Sequence, residues 1–215
     1  MSSAQVISKQ RVSKYGEVYT NPREVNAMLD LVKGETLRIE SRFLEPACGT
    51  GNFLIEILRR KLAVVEKLYK KSQLEYERYA IVAVSSLYGI ELLPDNIAIC
   101  RERLFAEFEQ QYRNLFKGKV KAKCINTVRH LLKCNLLQGD ALTLKTLPDN
   151  KPIIFPEWTL LNNQFKRHDF IYLQLVDRSA LNNSPHFSDL GKKFYKPKPL
   201  DKYYPLVHFL ELADE

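Results

Sequence analysis

The chain has 215 residues, of which 45% are hydrophobic and 27% charged, enough for one buried core with a small appendage. No apolar run approaches the roughly 20 residues that cross a bilayer, and the opening "MSSAQVISKQRVSKYG" lacks the apolar segment of a secretory signal, so a soluble, cytoplasmic protein is expected. Cys48, Cys100, Cys124 and Cys134 form no CxxC pair and suggest reduced thiols, and a formal charge of +8 suits a polyanionic partner without specifying one.

Residues 1–15 are polar and unpatterned and predict a flexible N-terminal arm. Order is expected from "GEVYTNPREVNAMLDLVKG", where Asn21 is a good N-cap, Pro22 suits the first helical position and Glu24 closes a capping box. Val25, Met28, Leu29 and Val32 follow at helical spacing, and Gly34 is expected to stop the helix.

Next come a brief strand "RFLE", the turn "PACGTG" and a helix from about Asn52 to Tyr69 with Phe53, Leu54, Ile57, Leu58, Leu62 and Val65 inward. A helix "LEYERYAIVAVSSL" feeds the strand "YGIEL". Pro94 and Asp95 open another helix, striped by Ile97, Cys100, the Arg101 stem, Leu104 and Phe108. A helix around "INTVRHLLKC" precedes the strand "NLLQGDAL". Alternation of this kind predicts a mostly parallel sheet with helices on both faces, an α/β fold of Rossmann-like type, whose ligands bind beyond the carboxyl ends of the strands. Those ends carry Glu45, Glu91 and Asp140.

The rest differs in character. "PIIFPEWTLLNNQFKRHDFIYLQLV" has two β-rich runs about Asn162-Asn163 and predicts a hairpin that extends the sheet antiparallel. From Asp177 onward Asn, Ser, Pro and Lys are frequent. The expected divisions are an arm over 1–15, a cofactor-binding core over 16–150, a hairpin over 151–178 and a loop-rich basic and aromatic tail over 179–215.

Glycine at 49 and 51 permits a tight turn and close backbone approach to a ligand, and the helix behind it presents free N–H groups. A dinucleotide fingerprint would need glycine where Leu54 stands, and a phosphate loop would need G-K-[ST]. Glu45 would repel a pyrophosphate and favour a cation. S-adenosylmethionine combines a sulfonium and an ammonium with an adenosine and carries no phosphate, so it fits that charge. Glu91 can then accept both ribose hydroxyls, and Asp140 the adenine amine, with the backbone of Ala141 available for a ring nitrogen.

"EVYTNPREV", "FLEPACGTGNFL", "YGIELLPDN" and "LLQGDAL" resemble motifs X, I, II and III of the methyltransferases that modify adenine N6 in DNA, in the order with motif X first, over roughly residues 14–145. The resemblance implies a class I methyltransferase core that binds S-adenosylmethionine. It assigns Tyr19, Thr20 and Pro22 to the loop that embraces the methionine end. Glu45, Pro46, Ala47, Gly49 and Gly51 take the motif I turn, Glu91 and Leu92 the ribose site, and Asp140 and Ala141 the adenine site. It also implies a DNA substrate and a restriction-modification or defence setting.

The catalytic tetrapeptide of that family, [DNS]-P-P-[YF], does not occur. "HDFIYLQLVD" has the usual lead-in to it, and the nearest imitation is "NNSPHF", which offers Asn183, Ser184, Pro185, His186 and Phe187 as catalytic candidates. The chain therefore reads as an adenine methyltransferase or its cofactor-binding subunit, with a second protein chain supplying the catalytic loop or target recognition. The alternative is an inactive methyltransferase-like regulatory or nucleic-acid-binding subunit.

Between Gln110 and Gly139 Arg113, Lys117, Lys119, Lys121, Lys123, Arg129 and Lys133 accumulate with no acid among them, and "KKFYKPKPLDKYY" interleaves lysines with Phe194, Tyr195, Tyr203 and Tyr204. Both stretches can touch nucleic acid or be solvated basic faces. Trp158 reads as a core or hairpin anchor. His130, His168, His186 and His208 have no metal-ligand spacing, and no metal is expected.

Overall fold

Three parallel strands, β1 (Phe43–Glu45), β2 (Leu87–Glu91) and β3 (Leu136–Asp140), form the centre of the molecule in the order β1-β2-β3. A two-residue strand β4 (Lys145–Thr146) adds antiparallel to β3. The computed structural model describes residues 11, 13–14, 20–176 and 198–214.

The helices follow the expected periodicities. Helix α1 (Pro22–Asp30) carries the full capping box, with Asn21 accepting from the Arg23 N–H and Glu24 reaching back to the Asn21 N–H. It buries Val25 and Leu29, while Met28 is 55% and Val32 45% exposed. Gly34 does not end it: the helix stops at Leu31, and Gly34 lies inside a short helix α2 (Lys33–Thr36). Helices α3 (Asn52–Tyr69), α4 (Gln73–Ser85), α5 (Pro94–Phe116) and α6 (Ala122–Asn135) then pack on one another, burying Leu54, Leu58, Ile81, Leu104, Phe108 and Leu131 completely.

Strand β2 shows why the core has two unequal halves. Successive side chains of a strand point to opposite faces, and here Leu87 joins the helix-lined core while Tyr88 and Ile90 join a small second cluster with Ile153, Phe155 and Tyr172. The second face is thus covered chiefly by β5 (Ile154–Leu161), which pairs antiparallel with β6 (Gln164–Ile171), and by α7 (Tyr172–Val176). Among the described residues the second face carries one short helix, and the hairpin takes the place of the longer helices expected there.

The hairpin itself turns at Asn162-Asn163, with Asn162 at φ 57. It does not extend the parallel sheet. It makes a separate sheet with β7 (Val207–His208), in the order β5-β6-β7, and lies across β2 through a hydrogen bond from the Tyr88 hydroxyl to the Pro156 carbonyl (2.8 Å). Trp158 anchors it as expected, 6% exposed and donating Nε1–H to Asn135 Oδ1 at 3.0 Å.

Two stretches expected as loose are tied down in part. Arg11, from the arm, makes an ion pair with Asp95 at 2.6 Å. In the tail, Phe209 and Leu212 are fully buried, and the Leu200 N–H donates to the Asp169 carbonyl at 2.7 Å. Among the described residues no helix is long and apolar enough to cross a membrane.

Candidate functional site

Strand β1 ends at Glu45, and the chain then reverses through Pro46-Ala47-Cys48-Gly49-Thr50-Gly51 into α3. Gly49 (φ 53) and Gly51 (φ 87) sit in the left-handed region that side chains rarely adopt. At Gly51 space is as restrictive as angle: a Cβ there would stand 2.7 Å from Cys100 Sγ and 3.1 Å from Leu104 Cδ1, so α5 packs directly against the turn. The Cys48 N–H donates to the Ile90 carbonyl (3.0 Å) and the Gly49 N–H to Glu91 Oε2 (2.8 Å), which fastens the turn to the neighbouring strand. The first bond within α3 runs from the Ile55 N–H to the Gly51 carbonyl, so the amides of Asn52, Phe53 and Leu54 precede the helical ladder and carry its positive end.

The three acids at the strand ends lie on adjacent strands but in different surroundings. Glu45 is half-buried and makes no hydrogen bond or ion pair with any described residue, and its burial raises its pKa above the ordinary carboxylate value. Glu91 is buried and well supplied, accepting from the Gly49 N–H and, at 3.0 Å, from the Leu93 N–H. Asp140 is partly exposed and caps its own turn, accepting from the Leu142 N–H (2.8 Å) and the Thr143 hydroxyl (3.0 Å), bonds that hold its carboxyl below the usual range. Leu92 is 39% and Leu142 95% exposed beside these acids, leaving apolar surface at the same end of the sheet.

Thr20 reaches the turn through its carbonyl, which accepts from Asn52 Nδ2 at 3.1 Å, with Pro22 next along at the start of α1. Pro46 and Ala47 are exposed and Ala141 is half-exposed. Tyr19 lies outside the described residues, as do Asn183, Ser184, Pro185, His186 and Phe187. An isolated, desolvated carboxylate beside a helix N-terminus and bare glycine backbone suits a small molecule with both a cationic and an anionic end. The donor and acceptor set therefore fits S-adenosylmethionine.

Two residues of this site escaped the sequence reading. Arg103, from α5, donates Nη1–H to the Thr50 carbonyl (2.7 Å), Thr50 Oγ1 (3.0 Å) and Asn52 Oδ1 (2.8 Å). Asn52 stands directly after the glycine turn and could have been suspected; Arg103 could not, because only the packing of α5 brings it there. Cys48 is buried against Cys100, and that contact together with burial raises its thiol pKa far above the ordinary value, so it packs and does not act as a nucleophile.

Residues 168–171 do not supply the strand context expected for a catalytic loop. They close the hairpin as the end of β6, antiparallel to β5, and run into α7. Among the described residues β1 is an edge strand, with Leu44 39% exposed. A hollow of about 360 Å³, lined by Phe43, Leu44, Tyr88, Phe155, Phe170 and Leu175, borders it.

The basic segment is neutralised within the fold at several points. Arg113 pairs with Glu109 (2.7 Å), Lys123 with Glu211 (2.7 Å) and Arg129 with Glu102 (3.2 Å), and Lys121 meets the fully buried Glu77 at 2.7 Å. In the tail, Tyr204 is 8% exposed and donates to the buried Asp169 (2.6 Å), beneath the Arg167 guanidinium, so it holds the hairpin. Tyr203 remains 83% exposed. No group of His, Cys, Asp or Glu side chains among the described residues is arranged to hold a metal ion.

The model of a family described as MmeI, DNA-methyltransferase domain, matches residues 21–146, more than half of the chain and the whole run from α1 to β4. No curated protein and no solved structure matches the chain.

Proposed function

The chain belongs to the MmeI DNA-methyltransferase domain family, and from that membership we propose that it binds S-adenosylmethionine at the ends of β1, β2 and β3 and serves the methylation of adenine N6 in DNA within a restriction-modification or defence system. The observation that carries this reading is Glu45, a half-buried carboxylate with no partner among the described residues, set beside two left-handed glycines. A buried charge without a partner is unfavourable, and a cationic ligand removes that cost.

When bound, the cofactor supplies an electrophilic methyl group on its sulfonium. Glu45 would serve the cationic end, and Gly49, with open space where a Cβ would stand, leaves the turn backbone approachable there. Glu91, already oriented by the Gly49 and Leu93 amides, accepts the ribose hydroxyls through its remaining lone pairs. Leu92 would lie with Glu91 at the ribose, and Asp140 and the Ala141 backbone would address the adenine. By the resemblance to motif X, Tyr19, Thr20 and Pro22 would serve the methionine end.

Residues 168–171 end β6 and residues 172–176 form α7, and this reading takes the base-binding and methyl-transfer groups from outside them. A second protein chain carrying the catalytic loop and target recognition fits this arrangement. The test has two arms. Calorimetric titration should show S-adenosylmethionine binding that is lost in Glu91→Ala and Asp140→Ala; a wild type that binds nothing sinks the pocket. Tritiated methyl transfer to DNA, measured for this chain alone and with a neighbouring gene product, then separates an enzyme from an inactive regulatory or nucleic-acid-binding subunit. Incorporation in neither mixture would count against the enzyme reading.

A further inference from the structure

We propose that Arg103 anchors the amino-acid end of the cofactor, a role that rests on the reading of the strand-end site as an S-adenosylmethionine pocket. S-adenosylmethionine carries a carboxylate as well as two positive centres, and Glu45 and Glu91 repel that group. A cationic counterpart is therefore needed on the same side of the turn.

Arg103 is placed to be that counterpart. It projects from the helix whose Cys100 and Leu104 already press on Gly51, so its position is set by close packing and not by a mobile loop. A single guanidinium nitrogen, Nη1, joins the Thr50 carbonyl, the Thr50 hydroxyl and Asn52 Oδ1. Asn52 in turn donates Nδ2–H to the Thr20 carbonyl at 3.1 Å. One cation thus ties together the glycine turn, the first residue of α3 and the segment that leads into α1.

The other edge of the same guanidinium is open among the described residues. Nε and Nη2 meet no acceptor among the described residues, and the side chain is only half-buried. Arginine presents its donors in a rigid planar fork matched to a carboxylate. With Nη1 locked on the turn, the fork is held in one orientation before any ligand arrives, which lowers the ordering cost of binding. The amides of Asn52, Phe53 and Leu54 at the N-terminus of α3 add donors of the same sign nearby.

A pair of ligands tests this. S-adenosylmethionine and methylthioadenosine share the adenosine and the sulfur, but only the first has the amino-acid group. Each is titrated by calorimetry into the full chain, its Arg103→Met and Arg103→Lys variants, and Asn52→Ala, with thermal unfolding recorded alongside. Arg103→Met is expected to weaken S-adenosylmethionine at least about tenfold, the scale of one charge-assisted pair, while methylthioadenosine binds as to the wild type. Arg103→Lys should recover part of the loss, and Asn52→Ala should show the same ligand selectivity to a smaller degree. Equal weakening of both ligands would mean that Arg103 only shapes the turn, and unchanged affinity for both would leave it no role; either result overturns the proposal. A wild type that binds methylthioadenosine and S-adenosylmethionine equally overturns it while keeping the adenosine pocket, and a wild type that binds neither removes the pocket itself.

Discussion

The two ends of the parallel sheet carry opposite charges and use them in opposite ways. At the carboxyl end Glu45, Glu91 and Asp140 close the three parallel strands; Glu91 is buried and bonded to the glycine turn, Asp140 caps its own turn, and Glu45 is half-buried with no partner among the described residues. At the amino end Lys61, from α3, is fully buried, and its ammonium donates to the carbonyls of Ile39 (3.1 Å) and Ser41 and to the Ser86 hydroxyl, with the Phe43 ring 5.1 Å away. Desolvation pushes the Lys61 pKa down to about 7. One charge is sealed and satisfied by the loop and strand starts it joins. The other is left waiting. The difference teaches that a charge marks a binding site when it is reachable and short of partners, and marks a structural joint when its hydrogen bonds are complete.

The comparison can be broken most decisively at the sealed end. Lys61→Ala leaves two buried carbonyls and a hydroxyl without their donor and a cavity in place of the stem, so a loss of about 3 kcal/mol in chemical denaturation is expected. Cofactor binding to the folded fraction should survive. A destabilisation near zero would show that the amino end is not a joint.

Lys61 also sets a pH dependence. Its folded pKa of about 7 lies below the ordinary lysine value of 10.5, so between these values the unfolded chain holds the extra proton and stability rises with pH. The unfavourable contribution is complete below about 7 and fades toward 10.5. The buried Cys48 and Cys124 thiols, whose pKa values are raised, oppose this climb above about pH 8.5. Unfolding free energies are therefore best compared from about pH 7 to 8.5, where they should rise by about 1 to 2 kcal/mol in the wild type and stay flatter in Lys61→Met.

At the open end the prediction has the opposite sign for stability. Glu45→Gln removes a desolvated charge that has no partner among the described residues, so the ligand-free protein should melt slightly higher while S-adenosylmethionine binds about tenfold more weakly, about 1.4 kcal/mol. A variant that melts lower would mean that Glu45 serves the fold. The smallest effect belongs to the solvated surface. Arg113→Ala removes an exposed pair with Glu109 on one helix face, and stability should change by less than about 0.5 kcal/mol. Its effect on DNA affinity, read from the salt dependence of binding, sharpens whether the basic segment touches phosphates.

Much of the scaffold could be read from local rules. The Asn21-Pro22-Glu24 cap, the start and end of α3 at Asn52 and Tyr69, and the stripe Ile97, Cys100, Leu104 and Phe108 on α5 all follow from spacing and capping chemistry. The expectation at Gly34 failed because the helix frays through Leu31 before the glycine is reached, and glycine marks a stop only where the chain needs a left-handed residue. Within the site, Glu45 and the two glycines were visible because acid and turn are contiguous. Arg103 was hidden among the charged residues of a long helix, and Lys61 reads in sequence as one more cation on an amphipathic face. Whether such a residue is exposed, paired or sealed depends on which element covers it.

The sequence by itself determined the order of elements, the parallel alternation through β3, and an acid at the end of each of the three parallel strands, since periodicity, capping and turn chemistry act within a few residues. The tertiary structure decided what those elements do to one another. It laid the hairpin across β2 as a separate sheet when alternation alone allowed an extension, turned residues 168–171 into a closing strand, and brought Arg103 to Thr50 and Asn52. The physical reason is that strand pairing, burial and charge satisfaction are nonlocal: the same side chain is a ligand contact, a joint or a solvated ornament according to the surface packed against it, and that surface comes from a distant part of the chain.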